Sequence, residues 1–130
     1  MFLGAGAITD ADWDHNLDVS RRHVSSLRGV LVAGHPDSPG VSARQRQRGA
    51  EMWKRIGVDP RIAVLTNSIF QRGIVTAVSW VTPGVIRAFP VHAWRGAAAF
   101  AGALPQSLNL IRIVLERASA RHGAGLQFPE

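Results

Sequence analysis

Short apolar runs alternate with stretches of helical periodicity along the chain, and this alternation restricts the fold more than any other feature. The apolar runs cover residues 2–8, 29–34, 61–67 and 85–89, and a helical pattern follows each of them. Such alternation is typical of βαβ units, whose right-handed crossovers place neighbouring strands parallel. The sequence therefore predicts one α/β domain with helices packed on a four-stranded, largely parallel sheet and an extra helix at the C-terminal end.

Capping and breaking residues indicate where several of these elements begin and end. Thr9 has the character of a helix N-cap. Ser38 followed by Pro39 predicts the start of the second helix, and Gly57 predicts its end. Pro90, directly after the last apolar run, indicates that this strand ends early or lies at the edge of the sheet.

The final helix is predicted over about residues 106–120, and its apolar surface is wider than one stripe. Three apolar residues share the inward face of this helix: Leu108, Ile111 and Leu115. Three more widen its apolar surface: Leu110, Ile113 and Val114. Because a helix that is apolar on two sides needs cover on both, we expect a homodimer through this helix. The domain is predicted over residues 1–122, followed by a flexible C-terminal tail over residues 123–130.

Composition excludes several classes of protein. The length of 130 residues fits a single domain, and the absence of cysteine excludes disulfides, thiol nucleophiles and cysteine-bound zinc or iron–sulfur clusters. No apolar run reaches the roughly 18 residues of a membrane helix, and the N-terminus lacks the features of a signal peptide. We therefore expect a cytoplasmic protein that does not enter a membrane. No His or Glu pair has metal-ligand spacing, so neither a metal nor a cofactor is predicted.

The net charge is compatible with a nucleic-acid partner but does not by itself favour one. The net charge is +6, and fourteen of the fifteen basic residues are arginine, with Lys54 the exception. A basic domain can bind the phosphates of DNA or RNA. A bias towards arginine, alanine and glycine is equally typical of a high-GC coding sequence, and the basic residues are scattered along the chain. Nucleic-acid binding is therefore an alternative to the leading interpretation given below.

Polar residues follow the predicted strands at the edge where the carboxyl ends of parallel strands meet. His35, Asp37, Asn67 and Ser68 belong to this edge, with His92 after the last strand. Open α/β sheets bind ligands there, so small-molecule binding or catalysis is a further alternative. A hydrolase nucleophile at Ser68 would need flanking glycines in a Gly-x-Ser-x-Gly turn, and both are missing. No catalytic residue is assigned, and this favours a protein that is not an enzyme.

A charged helix face offers a candidate surface for a protein partner. Arg44, Arg48 and Arg55 are spaced for one face of the second helix. Trp80 lies just off the apolar stripe of the third helix, where an exposed ring can act as an interface anchor. Solvated arginines and a tryptophan packed at the core boundary are the simpler interpretation of the same pattern.

The order of these segments resembles a known family. The matching features are Gly6-Ala7-Ile8-Thr9 before the first helix, an Ile-Ala-Val strand at 62–64, an Ile-x-Ala-Phe strand at 86–89 and an Ala-x-x-Phe-Ala helix at 97–101. In this pattern the chain is similar to SpoIIAA-like, or STAS-type, domains, in particular the stand-alone bacterial STAS/SEC14 proteins. The resemblance implies a non-enzymatic protein–protein interaction module in bacterial signalling or assembly.

The same resemblance implies a role for the turn after the central strand. Anti-sigma-factor antagonists of this family carry a regulatory serine there, which a partner kinase phosphorylates, and Ser68 occupies the matching position. The family turn contains an Asp-Ser-Ser or Asp-Ser-Gly motif, whereas this chain has Thr66-Asn67-Ser68. Asn67 and Ser68 are therefore the candidate regulatory or partner-contact turn. The alternative is that one of them simply caps the following helix.

Overall fold

Eight helices and strands organise the described part of the chain, which in this computed structural model comprises residues 1–69, 71–75 and 86–130. The strands are β1 (Phe2–Leu3), β2 (Gly29–Gly34), β3 (Arg61–Leu65) and β4 (Ile86–Phe89). The helices are α1 (Asp10–Arg22), α2 (Ala43–Ile56), α3 (Trp94–Phe100) and α4 (Leu108–Arg121). Residues 69 and 71–75 are also helical, and short 3₁₀ turns precede α3 and α4 at Val91–Ala93 and Pro105–Ser107.

The four strands form one sheet in the order β1-β2-β3-β4, and every neighbouring pair is parallel. Gly29 pairs with Arg61 where β2 meets β3, and Ala63 pairs with Arg87 where β3 meets β4. This arrangement confirms the predicted α/β fold with its four-stranded parallel sheet and C-terminal helix. β4 is the last strand in the order and stops at Phe89, because Pro90 has no backbone N–H to continue the ladder.

The first helix begins as predicted, whereas the second does not. Thr9 caps α1 by accepting a hydrogen bond from the backbone N–H of Asp12 at 3.1 Å. The prediction that Ser38 and Pro39 start the second helix is wrong, because α2 begins at Ala43 with Ser42 as its N-cap. The side chain of Ser42 accepts from the N–H of Gln45, and the Gln45 side chain accepts from the N–H of Ser42. This capping box satisfies two backbone donors at once, whereas the residue three places after Ser38 is Val41, whose side chain has no acceptor for the reciprocal bond.

Most of the core lies between the sheet and the pair α3 and α4. Trp94 is completely buried there, and Ala63 and Leu65 of β3 belong to the same apolar cluster. Right-handed crossovers between sequential parallel strands place α1 and α2 together on the opposite face. Those two helices touch where the indole of Trp13 covers Gly49, whose missing side chain leaves room for the ring.

The last eight residues pack onto the domain, whereas the sequence predicts a flexible tail for residues 123–130. Phe128 is 3% exposed and lies in the main core cluster. Its neighbour Pro129 accepts a hydrogen bond from the indole N–H of Trp94 at 2.7 Å. The carboxylate of Glu130 lies 2.7 Å from the guanidinium of Arg112 on α4. The segment is held because a buried aromatic ring and a buried indole N–H both need the contacts that it supplies.

Replacing Gly29 by alanine tests a site where two other backbone segments lie close to this residue. A Cβ atom at this position would lie 2.2 Å from the carbonyl oxygen of Ala101 and 2.6 Å from that of Arg61. Because both obstacles are backbone atoms, we expect Gly29→Ala to lower the free energy of unfolding by about 3 kcal/mol or more in urea denaturation. The control is Gly96→Ala, since a Cβ at Gly96 meets only Phe89 at 4.0 Å. That variant should gain about 0.5–1 kcal/mol from helix propensity, and equal effects of the two changes would contradict this account.

Shortening Phe128 tests whether the C-terminal segment contributes to stability. We expect Phe128→Ala to lower the free energy of unfolding by about 3 kcal/mol, as for other buried rings. Gln127→Ala changes an exposed neighbour and should stay within about 0.5 kcal/mol of the parent chain. If both variants unfold at the urea concentration of the parent, residues 123–130 behave as the flexible tail predicted from the sequence.

Candidate functional site at the carboxyl edge of the sheet

The carboxyl ends of β2, β3 and β4 lie at one edge of the sheet, and the turns that follow them carry most of the predicted site residues. His35 and Asp37 follow β2, Asn67 and Ser68 follow β3, and His92 follows β4. Because the strands are parallel neighbours, the fold gathers these three turns at one edge, as the sequence predicts. Which of these side chains interact depends on hydrogen bonds that connect one turn to another.

A buried network of polar side chains joins the turn after β2 to the turn after β3. The hydroxyl of Thr66 donates to Oε1 of Gln71 at 2.7 Å and accepts from the backbone N–H of Ser68 at 3.1 Å. The side-chain amide of Gln71 in turn donates to the carbonyl oxygen of Ser38 at 2.6 Å. Thr66 and Ser38 are both buried. The network fixes the geometry of the edge, because each of these buried polar groups has its partner within the chain.

Ser68 occupies the N-cap position of the helix that follows β3. Its half-buried hydroxyl accepts a hydrogen bond from the backbone N–H of Gln71 at 3.2 Å. This geometry is the one expected of a helix cap. A cap is the alternative to a regulatory serine that the sequence analysis gives for this position. Regulation of Ser68 by phosphorylation stays a prediction. The next residue, Ile69, is 80% exposed and gives this turn an apolar surface.

Asn67 joins the turn to the end of β4. Its side-chain oxygen accepts a hydrogen bond from the backbone N–H of Val91 at 3.0 Å, although the residue as a whole is exposed. Asn67 therefore holds the segment after β4 in position beside the turn after β3. This is a positioning contact within the chain.

His35 makes a local contact instead of joining Ser68. Its Nδ1 accepts a hydrogen bond from the backbone N–H of Asp37 at 3.0 Å, and the Asp37 carboxylate lies 3.8 Å from the same nitrogen. Among the hydrogen bonds of the described residues, none connects Ser68 with His35 or His92. The serine, histidine and aspartate considered from the sequence thus share an edge without forming a proton-transfer chain in this structure.

An open groove of about 420 Å³ runs between the end of β4, α4 and the C-terminal segment. Asn67, His92, Glu116 and Gln127 supply polar groups, and Phe128 and Pro129 form part of its wall. The groove is wide open to solvent, and the C-terminal segment covers the part of the sheet edge next to Trp94.

The predicted partner face on α2 is only partly available. Arg44 and Arg55 are exposed, whereas the guanidinium of Arg48 lies 2.8 Å from the carboxylate of Asp14 and joins α2 to α1. Trp80 lies outside the described residues. Arg48 is therefore engaged within the chain, since its pairing with Asp14 connects two neighbouring helices.

Sequence reasoning missed the central residue of this edge, Gln71. The signal was present, because Ser68-x-x-Gln71 has the spacing of a capping box, as does Ser42-x-x-Gln45. The spacing explains why the backbone N–H of Gln71 meets Ser68. It does not show that the amide of Gln71 would turn towards Ser38, since that contact crosses from one turn to another.

The described residues contain no cluster of three or more His, Cys, Asp or Glu side chains that could hold a metal ion. Within the same residues, no helix has the length and apolar character needed to cross a bilayer. Comparison of the chain with protein-family models, with curated proteins and with solved structures gave no significant match. Functional inference therefore rests on the residues and the geometry described above.

Substitution of Ser68 tests whether its hydroxyl stabilises the protein by capping the helix. Ser68→Ala removes the acceptor for the N–H of Gln71, so we expect the free energy of unfolding to fall by about 0.5–2 kcal/mol. Ser68→Asp retains an acceptor and places a negative charge at a helix N-terminus, so its change should be about 1 kcal/mol or less. Ser25→Ala, in an exposed turn, is the control and should have no measurable effect. Urea denaturation measures all three, and an unchanged midpoint for Ser68→Ala would show that the cap contributes nothing.

Proposed function

We propose that this chain is a non-enzymatic protein-interaction module and that the outer face of α4 is its contact with a second copy. The observation that carries the proposal is the exposure of two apolar side chains on this helix. Leu110 is 64% exposed and Val114 is 57% exposed, and their i, i+4 spacing places them side by side. Helices of water-soluble domains usually cover such a pair, because apolar surface in contact with water is unfavourable.

The opposite face of α4 already has its cover within the chain. Leu115 is buried, and Leu108 and Ile111 pack against the main core cluster. The exposed pair is therefore additional to the apolar stripe that attaches the helix to the domain. A helix with apolar residues on two sides is the feature from which the sequence predicts a homodimer.

An antiparallel pairing of two α4 helices would be self-complementary. With a twofold axis near the middle of the helix, Leu110 of one copy would face Val114 of the other. Arg117 and Arg121 lie in the C-terminal half of the helix, so the twofold axis would keep the cationic ends of the two copies apart. The apolar patch is small compared with a standard interface of about 1,600 Å². The association is consequently expected to be weak, with a dissociation constant on the order of micromolar or above.

The resemblance to SpoIIAA-like domains supports the same class of function. Under this proposal the chain acts in the bacterial cytoplasm by binding other proteins in signalling or assembly. The turn at Asn67 and Ser68 would be a second contact, since Ile69 provides an exposed apolar anchor directly beside the cap. The self-association through α4 is the part that can be tested without knowing a further partner.

Self-association is measured by light scattering coupled to size-exclusion chromatography over a range of chain concentrations. We expect the average mass to rise from that of a monomer towards that of a dimer at high micromolar concentration. The double variant Leu110→Ser and Val114→Ser should remain monomeric, because it removes the exposed pair and leaves the inward face intact. The control is Val19→Ser, which replaces an aliphatic residue that is 40% exposed on α1. A parent chain that stays monomeric at the highest concentration would reject the interface.

A further inference from the structure

Five arginines and no aspartate or glutamate occur in residues 60–115. This stretch provides β3, β4 and α3, and α3 packs against both strands. Three of the five arginines lie on these elements, Arg61 on β3, Arg87 on β4 and Arg95 on α3, and none of the three elements carries a carboxylate. Charge segregated in this way points to an anionic partner, because scattered compensating charges would cancel the field.

Two of these arginines and two phenylalanines form a continuous row. The guanidinium carbon of Arg61 lies 5.7 Å from the ring centroid of Phe100, and that of Arg87 lies 5.2 Å from the ring centroid of Phe89. The two rings are 5.8 Å apart and tilted by 52°. We call these four side chains the arginine–phenylalanine row. Both rings are partly exposed and both arginines are exposed.

The register of the sheet produces this row. Arg87 and Phe89 are two residues apart on β4, so their side chains leave the same face of the strand. Leu65 pairs with Phe89, and Ala63 pairs with Arg87, which places Arg61 further along the same face of the neighbouring strand. The ion pairs of the described residues involve other arginines: Arg21, Arg22, Arg48 and Arg112. The guanidinium groups of the row are thus held by rings and not by carboxylates.

A further arginine lies next to the row. Arg28 is exposed and directly precedes Gly29, which pairs with Arg61 across the β2–β3 ladder. A Cβ atom on Gly102 would lie 3.0 Å from the Cβ of Arg28, so this residue also borders the chain that leaves α3. The basic surface therefore extends from β4 across to the start of β2.

We propose that the arginine–phenylalanine row binds single-stranded nucleic acid. Guanidinium groups bind phosphates with directed hydrogen bonds, and a ring stacked beneath each of them limits its motion before binding. Partly exposed aromatic rings beside such cations provide surfaces on which unpaired bases stack without sequence preference, while the remainder of both rings packs against the main core cluster. An acidic protein segment would use the arginines but would have no comparable use for two adjacent rings. This surface is separate from the exposed pair on α4, so the proposal does not depend on self-association.

The experiment measures fluorescence anisotropy of labelled oligonucleotides with the full chain. The probes are single-stranded DNA and single-stranded RNA of about 20 nucleotides, the corresponding duplexes, and a labelled polyglutamate peptide. Each is titrated at about 50 mM and about 200 mM salt, because phosphate contacts give a steep salt dependence. We expect the single strands to bind more tightly than the duplexes and the peptide, with an affinity that falls as salt rises.

The variant Arg61→Gln with Arg87→Gln removes the two cations of the row. It should lower single-strand affinity about tenfold or more and reduce the salt slope by about 1.4, or about 0.7 for each phosphate contact. The matched control is Arg44→Gln with Arg55→Gln on α2, which removes the same charge from two other exposed arginines. Phe100→Leu keeps every charge and should lower affinity about tenfold with little change in the salt slope, since it removes both a stacking surface and the ring beneath Arg61 but no phosphate-binding cation.

Several results would overturn the proposal. Absence of single-strand binding at the lower salt concentration is one, and an equal loss in the α2 control is another, because it would mean that only net charge matters. Polyglutamate binding as tightly as the single strands would assign the row to an acidic protein instead. Circular dichroism establishes that each variant is folded. If the glutamine variant is not, Arg61→Lys with Arg87→Lys replaces it, and this variant should keep the salt slope while losing affinity.

Discussion

The burial of Trp94 is the constraint on which much of this structure depends. Its side chain is 0% exposed and is surrounded by residues of β3, α3, α4 and the C-terminal segment. An indole ring contributes a large apolar surface, but burying its N–H without an acceptor is unfavourable. The carbonyl of Pro129 is that acceptor. The last residues of the chain are therefore needed to complete the core as well as to cover it.

The same requirement for internal partners shapes the carboxyl edge of the sheet. Gln71 bonds to both Thr66 and Ser38, and Asn67 bonds to the backbone of Val91. Polar side chains that the sequence offers as candidate site residues, such as Asn67, thus connect the turns of this edge. The exposed groups of the edge include the apolar side chain of Ile69, the carboxylate of Asp37 and the open groove beside Glu116.

The two proposed surfaces differ in physical character and lie on different elements. The outer face of α4 is aliphatic, and its proposed occupant is a second copy of the same helix. The arginine–phenylalanine row is cationic and aromatic, and it is built from β3, β4 and α3. A dimer formed through α4 would carry two such rows, and binding of a nucleic-acid strand across both would gain from the raised effective concentration of the second row.

Much of the fold was predictable from the sequence because its signals act over a few residues. Apolar runs and helical periodicity determine the order of strands and helices, Thr9 starts α1, and Gly57 ends α2. The wide apolar surface of the C-terminal helix predicts cover on two sides; within the chain Leu115 is buried and Leu110 is exposed, and cover of the second side by another copy stays a prediction.

Only the tertiary structure decided which distant residues meet. Trp94 finds its acceptor 35 residues further along the chain, Gln71 finds Ser38 33 residues earlier, and Arg61 reaches Phe100 on another element. These contacts depend on the strand register and on how each helix lies across the sheet. Neither is encoded by the local periodicity or capping that the sequence displays, because both result from packing all of the elements together.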